Sequence, residues 1–150
     1  MDIALAYNPA IRGCDVVFNG TDFALDSTPA SAMLFSLLAN RRAAPDDKVS
    51  TQVTTPLAPQ SFTARGGYPG DALDQTGQLA GSRLWLLQRA LADEQTRIDA
   101  QNYVAEALSW LETVRGQAVQ IAVRWFAPDI LAYRAIAGAT TLQLKQAVGG

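Results

Sequence analysis

Fourteen Asp and Glu residues and no histidine set the limits on the chemistry open to this chain of 150 residues. Without an imidazole, Ser-His-Asp catalysis, Cys-His catalysis and the usual zinc sites are excluded. A carboxylate pair, as in glycoside hydrolysis, is the acid–base arrangement left to test. Glu94, Glu106 and Glu112 belong to one amphipathic pattern, but Glu106 and Glu112 lie six positions apart and share a helix face poorly. Asp46, Asp47, Asp71 and Asp74 stand in loop sequence. Asp46-Asp47 offers too few oxygens for a hard cation, which takes roughly six to eight. Arg65-Gly66-Gly67-Tyr68-Pro69-Gly70-Asp71 is glycine-rich yet has neither spacing of a phosphate cradle. Cys14, the single cysteine, sits beside Gly13 and reads as a small packed hydrophobe in a reducing compartment. No catalytic, cofactor-binding or metal-ligating residue is therefore assigned.

The remaining chemistry lies in arginines and aromatic rings beside short motifs. Gly81-Ser82-Arg83-Leu84-Trp85-Leu86-Leu87 follows a loop rich in glycine and proline. Ser82 is suited to cap a helix, and Leu84, Leu87 and Leu91 fall at i, i+3 and i+7 along it. Arg83 then occupies the first turn, where the macrodipole disfavours a cation; it is either an exposed Arg on a core helix or one offset by a partner carboxylate. Arg41 and Arg42 close an earlier helix, either as a solvated end or as an interface pair.

The elements that position these residues read as follows. Ile3 to Tyr7 and Asp15 to Phe18 are strands, Asn19-Gly20 is a strong hairpin signal, and Phe23 and Leu25 line a short third strand. Thr28-Pro29 opens the first helix, with Met33, Leu34, Leu37 and Leu38 as its apolar stripe and Ala43-Ala44-Pro45 as its stop. Residues from about 44 to 78 form an irregular loop, of a length that is normally functional or disordered alone. A second helix spans about Ser82 to Leu91. A third, capped by Asp93, runs to about Thr113 with Ile98, Tyr103, Val104, Ala107, Leu108 and Leu111 near one face, and Arg115-Gly116 ends it. The apolar period then becomes two: Val119 to Phe126, Ile130 to Ala137 and Thr140 to Val148 make a meander. The fold class expected is α+β: an N-terminal β-hairpin, three helices and a C-terminal antiparallel β-meander in a single domain, 1–150.

The formal charge of −2 argues against a nucleic-acid binder. No apolar run approaches the roughly 20 residues of a membrane helix, and the opening Met1-Asp2-Ile3-Ala4-Leu5 lacks the basic start of a signal peptide.

Three stretches together resemble the Mu-like phage baseplate wedge protein family. They are Met1-Asp2-Ile3-Ala4-Leu5, the helix Ala32 to Leu38 with Ala39-Asn40-Arg41-Arg42-Ala43 after it, and Gly81 to Leu87 followed by Ala105-Glu106-Ala107-Leu108-Ser109-Trp110-Leu111. The resemblance covers roughly residues 1 to 123. The family usually has two tryptophans before Gly-Asp in the loop; here Gly67-Tyr68-Pro69-Gly70-Asp71 keeps one aromatic and the Gly-Asp. The stretch from about Val49 to Gln60 is longer than typical.

The resemblance implies a structural subunit of a contractile tail baseplate, without enzyme activity or cofactor. Such a subunit joins larger baseplate wedge proteins around the tail hub and tube and gives the tail sheath its first attachment. It implies several copies in a sixfold baseplate of the virion, assembled in the host bacterial cytoplasm, with neither nucleic acid nor membrane as partner. The partner-interface residues expected are Arg41, Arg42, Tyr68, Asp71, Arg83 and Trp85, with Thr140, Leu142 and Leu144 on the terminal strand. Two other readings stand beside it: a small cell-wall glycosidase using two carboxylates, and the equivalent subunit of a phage-derived bacteriocin or injection system.

Physical expectations follow from the pattern. Leu34, Leu37, Leu38, Leu84, Leu87, Val104, Leu108, Val119, Ile121 and Val123 should be buried. At least one of Arg83, Arg41 and Arg42 should pair with a carboxylate, within the fold or across an interface, and Arg83→Ala should weaken assembly more than monomer stability. Asp46 to Tyr68 should be ordered mainly by other subunits and be the first site of proteolysis. The last strand is either an edge able to accept a strand from the sheath, with proline at Leu142 or Leu144 as a block if that N–H faces outward, or a strand covered by the chain's own helices or lying inside the sheet.

Overall fold

The computed structural model describes residues 2–11, 13–47, 49 and 62–149. The α+β class is as expected, and the meander is its largest sheet. Strands β5 (Val119–Ala127), β6 (Ile130–Ala137) and β7 (Thr140–Ala147) pair antiparallel in the order β5-β6-β7. Their alternation turns Val123, Leu131, Tyr133 and Leu144 towards the helices and leaves Gln120, Arg124, Arg134 and Gln143 outside. At the N-terminus, β1 (Asp2–Ile3) pairs with β4 (Leu25–Asp26), and β2 (Leu5–Asn8) pairs with β3 (Gly13–Val16). The expected first strand is thus divided at Ala4, whose N–H donates to Ala24 and whose carbonyl accepts from Val17. The Asn19-Gly20 turn is present, closed by an isolated bridge between Phe18 and Phe23.

Helix α1 (Ala30–Leu38) ends with its apolar stripe, short of the stop expected at Ala43-Ala44-Pro45. Thr28 Oγ1 accepts from Ala30 N at 3.2 Å, but Asp26 carries most of the capping. Its carboxylate accepts from the N–H groups of Thr28 (2.8 Å) and Ser31 (3.1 Å) and from both hydroxyls. These bonds, that of the Thr28 hydroxyl foremost, hold Asp26 well below the usual carboxylate range. The folded pKa is depressed, so this stabilisation is fully present above the ordinary value of 3.8 and is lost as pH falls towards the folded value. Asp26→Asn is therefore expected to lose about 0.5–2 kcal/mol at neutral pH and to flatten acid unfolding below about pH 4, measured by urea titration across pH. An unchanged acid limb would remove Asp26 from that role.

The third helix divides in two. Helix α2 (Glu94–Leu108) is capped by Asp93, whose side chain accepts from Thr96 N at 2.8 Å. At Ser109 the backbone tightens to an i→i+3 bond and the hydroxyl donates to Glu106 O, so α3 (Trp110–Arg115) sets off anew. Gly116, at φ 61°, ends α3, with Gln117 N donating back to Leu111 O at 3.0 Å.

The core lies between α1, α2 and the inner face of the meander, with Met33, Leu108, Leu111, Leu131 and Val148 fully buried. Of the residues expected inside, Leu34, Leu37, Leu84, Leu87, Val104, Leu108 and Val123 are buried; Leu38, Val119 and Ile121 pack partly buried against them. Ile98 is a correction. The face of α2 that meets the core carries Thr96, Ala100, Val104, Ala107 and Leu108, and Ile98 points to solvent.

Candidate functional site

The segment expected to be a second α-helix is a 3₁₀ helix, Leu84–Arg89, and this decides how its motif works. At three residues per turn, Leu84, Leu87 and Ala90 stack on one side against the core, and Leu91 is left 79% exposed. Ser82 is 2% exposed. Its hydroxyl donates to Leu37 O at 2.6 Å and accepts weakly from Leu84 N at 3.4 Å, so it ties the segment to α1 more than it caps a helix.

Residues 39–41 run beside 81–83 as a short parallel crossing. Ser82 N donates to Ala39 O and Arg41 N to Ser82 O, both at 2.9 Å. This pairing takes Arg41 and Arg42 out of the helix end assigned from sequence, since α1 stops at Leu38 and the chain beyond it is extended. The crossing needs Gly81, at φ 88°: a Cβ there would stand 2.5 Å from Ala39 O.

The crossing aims Arg83 into a cluster of opposite charge. Its Nε donates to Glu106 at 2.9 Å, and its Nη1 donates to Asp47 at 3.0 and 3.1 Å. Its guanidinium also lies 4.6 Å from the centroid of the Tyr103 ring. Burial disfavours the charge, but the hydrogen bonds of Asp47 and then Glu106 outweigh it and raise the Arg83 pKa above its ordinary value. Arg41 adds a second contact to Glu106 at 3.6 Å and donates to Leu79 O at 2.8 Å. The expected arginine–carboxylate pair is therefore present, within the chain.

The other expected residues arrange around this centre. Trp85 donates from Nε1 to Arg41 O at 2.8 Å, and its ring lies where a Cβ on Gly66 would have to go. Asp71 accepts from Ala80 N at 2.8 Å, fastening the loop beside Gly81. Tyr68 meets Phe35 edge-on with 5.1 Å between ring centroids and remains 41% exposed. Arg42 runs alongside Gly67. Arg41, Arg42, Tyr68, Asp71, Arg83 and Trp85 thus belong to one surface where the segment after α1 meets residues 64–85. Thr140, Leu142 and Leu144 lie apart on β7, although Leu144 and Trp85 share the wall of a cavity of about 410 Å3.

Sequence reasoning named Glu106 and Asp47 among the carboxylates but did not pair them with Arg83, from which they lie 23 and 36 positions away; the unfavourable position of Arg83 was the signal for such a partner. Most of the loop expected to order on assembly (residue 48 and residues 50–61) lies outside the described residues. Among the described residues no group of three or more Cys, Asp or Glu converges as a metal site, and no helix is long and apolar enough to cross a membrane.

Arg83 is expected to couple to Glu106. The side chains are 21% and 33% exposed, which lowers the energy below that of a dry ion pair. A double-mutant cycle of Arg83→Ala and Glu106→Ala, read by urea unfolding, should give a coupling of about 0.5–3 kcal/mol. Strict additivity would reduce the contact to a surface pair without energetic weight.

Residues 29–147 match the family described as phage protein GP46. The baseplate protein gp46 of Escherichia phage Mu is 34% identical over 123 residues, covering 82% of this chain and 75% of that relative. No solved structure matches. With the matched region reaching from the start of α1 to the end of β7, and so containing both the Arg83 cluster and the meander, the chain belongs to the GP46 family of phage proteins.

Proposed function

We propose that this protein is a structural baseplate subunit, without catalysis, that joins larger wedge proteins around the tail hub and offers the sheath its first attachment on β7. The baseplate role rests on the relative from phage Mu. A non-catalytic role is supported by Asp47 and Glu106, whose carboxylates are both engaged by one guanidinium, which leaves neither free as a glycosidase acid. The wedge contact is assigned to the surface of Arg41, Arg42, Tyr68, Asp71, Arg83 and Trp85.

The observation that carries the sheath assignment is the state of the two sheet edges. The loop Gly138-Ala139 has two residues, and its closing pair Ala137–Thr140 is of the hydrogen-bonded kind in such a hairpin. By alternation, Leu142 and Leu144 direct their N–H groups at β6, and Thr141, Gln143 and Lys145 direct theirs outward. Two contacts agree with this parity. Tyr7 OH donates to Lys145 O at 3.3 Å, on the outer side of β7, and Arg97 donates to Val123 O at 3.3 Å, on the outer side of β5. The β5 edge thus meets α2, and among the described residues the backbone of Thr141 and Gln143 makes no hydrogen bond on the outer side of β7. The expected proline block therefore moves from Leu142 and Leu144 to Gln143.

Gln143→Pro removes an outward N–H and no ladder bond, so the monomer should melt close to wild type. Particles carrying it should assemble baseplates without sheath, seen by electron microscopy. Leu142→Pro breaks the β6–β7 ladder and should fail at folding. Sheathed particles from Gln143→Pro would remove β7 as the attachment strand.

A further inference from the structure

The outer face of the meander carries three cations around a floor of small side chains. The register sets Arg124 opposite Ala132 and Ala132 opposite Lys145, so one row across three strands reads cation, methyl, cation. The next row on that face sets Arg134 between Ala122 and Gln143. These residues line an open groove of about 900 Å3, walled on one side by Tyr7 and Pro9 of the N-terminal hairpin. No acidic residue lines it, although acids outnumber bases in the whole chain, 14 to 12. Among the described residues, neither Arg124 nor Arg134 takes part in an ion pair. Lys145 lies 3.4 Å above the ring centroid of Phe126, which is itself 55% exposed.

Like charges held together on one sheet face repel, and among the described residues no carboxylate lines the groove to offset them. A ligand bearing negative charge would. The spacing favours an extended chain over a compact anion. Arg124 and Arg134 are diagonal neighbours across β5 and β6, about 7–8 Å apart at their origins. Alternate residues of an extended strand project to the same side every 6–7 Å or so. Phe126 adds apolar contact at the end of the row, and Ala122 and Ala132 leave the floor open.

We propose that this face docks an extended acidic segment of a neighbouring protein, with Asp or Glu at alternate positions set against Arg124 and Arg134. This contact is made by side chains on the sheet face and is separate from strand addition at the β7 edge.

The test is fluorescence anisotropy of the full chain with a fluorescein-labelled (Glu-Ser)4 peptide at low and physiological salt. Binding should weaken at least tenfold in Arg124→Gln/Arg134→Gln, weaken less in Lys145→Gln, and survive in Arg115→Gln, a cation on α3. Thermal unfolding of each variant, all altered at exposed positions, confirms that the fold is kept. An oligothymidylate of equal charge should bind more weakly than the peptide. Absence of peptide binding, equal loss in Arg115→Gln, or tighter binding of the oligonucleotide would each overturn the proposal; the last would make the face a phosphate-binding surface.

Discussion

Gly81→Ala is expected to destabilise the protein by about 3 kcal/mol or more, an effect far beyond that of one added methyl group on a surface. Two costs combine. The backbone at Gly81 is at φ 88°, a region where an L side chain is strained. The new Cβ would also stand 2.5 Å from Ala39 O, 2.8 Å from Ala39 C and 2.9 Å from Arg41 N, all backbone atoms that no rotamer change can move. Relief requires the two segments to part, which breaks Ser82 N to Ala39 O and Arg41 N to Ser82 O. Arg83 and Trp85 follow directly and would lose their aim at Glu106 and Arg41. The measurement is urea or thermal unfolding of the isolated chain. Gly77→Ala is the control, since Gly77 has a similar positive φ of 71° but open space around it. It should cost about 1–2 kcal/mol for conformation alone. Equal losses at the two sites would mean that the close approach at residues 39–41 carries no energy.

Leu87→Ala is expected to cost about 2–5 kcal/mol, and Leu91→Ala less than about 0.5 kcal/mol. An α-helix from Ser82 would have put both residues on one face and made both matter. In the 3₁₀ segment Leu87 is 4% exposed, in contact with the core below α2, and Leu91 lies beyond its end in solvent. A segment of six residues has little helical stability of its own, so its conformation depends on this packing. The pair of substitutions, compared in one unfolding series, separates the two geometries. A large loss at Leu91 would favour the α-helical reading of the segment.

Much of this fold was legible because certain signals are local. The alternation from Val119 onward, the Gly138-Ala139 turn, the Asp93 cap and the Gly116 stop each depend on a few adjacent residues, and each lies where the sequence places it. The apolar stripes likewise identified the core, because burial of one face is imposed by the period of the element. The GP46 relationship was legible for a related reason: the motifs at Ala32 to Ala43 and Gly81 to Leu87 are contiguous.

What the tertiary structure decided depends on residues distant in sequence. The extended path of Arg41 and Arg42 is set by pairing with Ser82, whose N–H and carbonyl take the backbone bonds a longer helix would have used. The 3₁₀ form of Leu84–Arg89 answers to the spacing of the core beneath it. Asp47 and Glu106 become partners of Arg83 through the meeting of a loop and a helix, for which no spacing rule exists. Which edge of the meander meets α2 likewise follows from how the elements come to rest against the sheet, a contact between elements and not a property of any one strand.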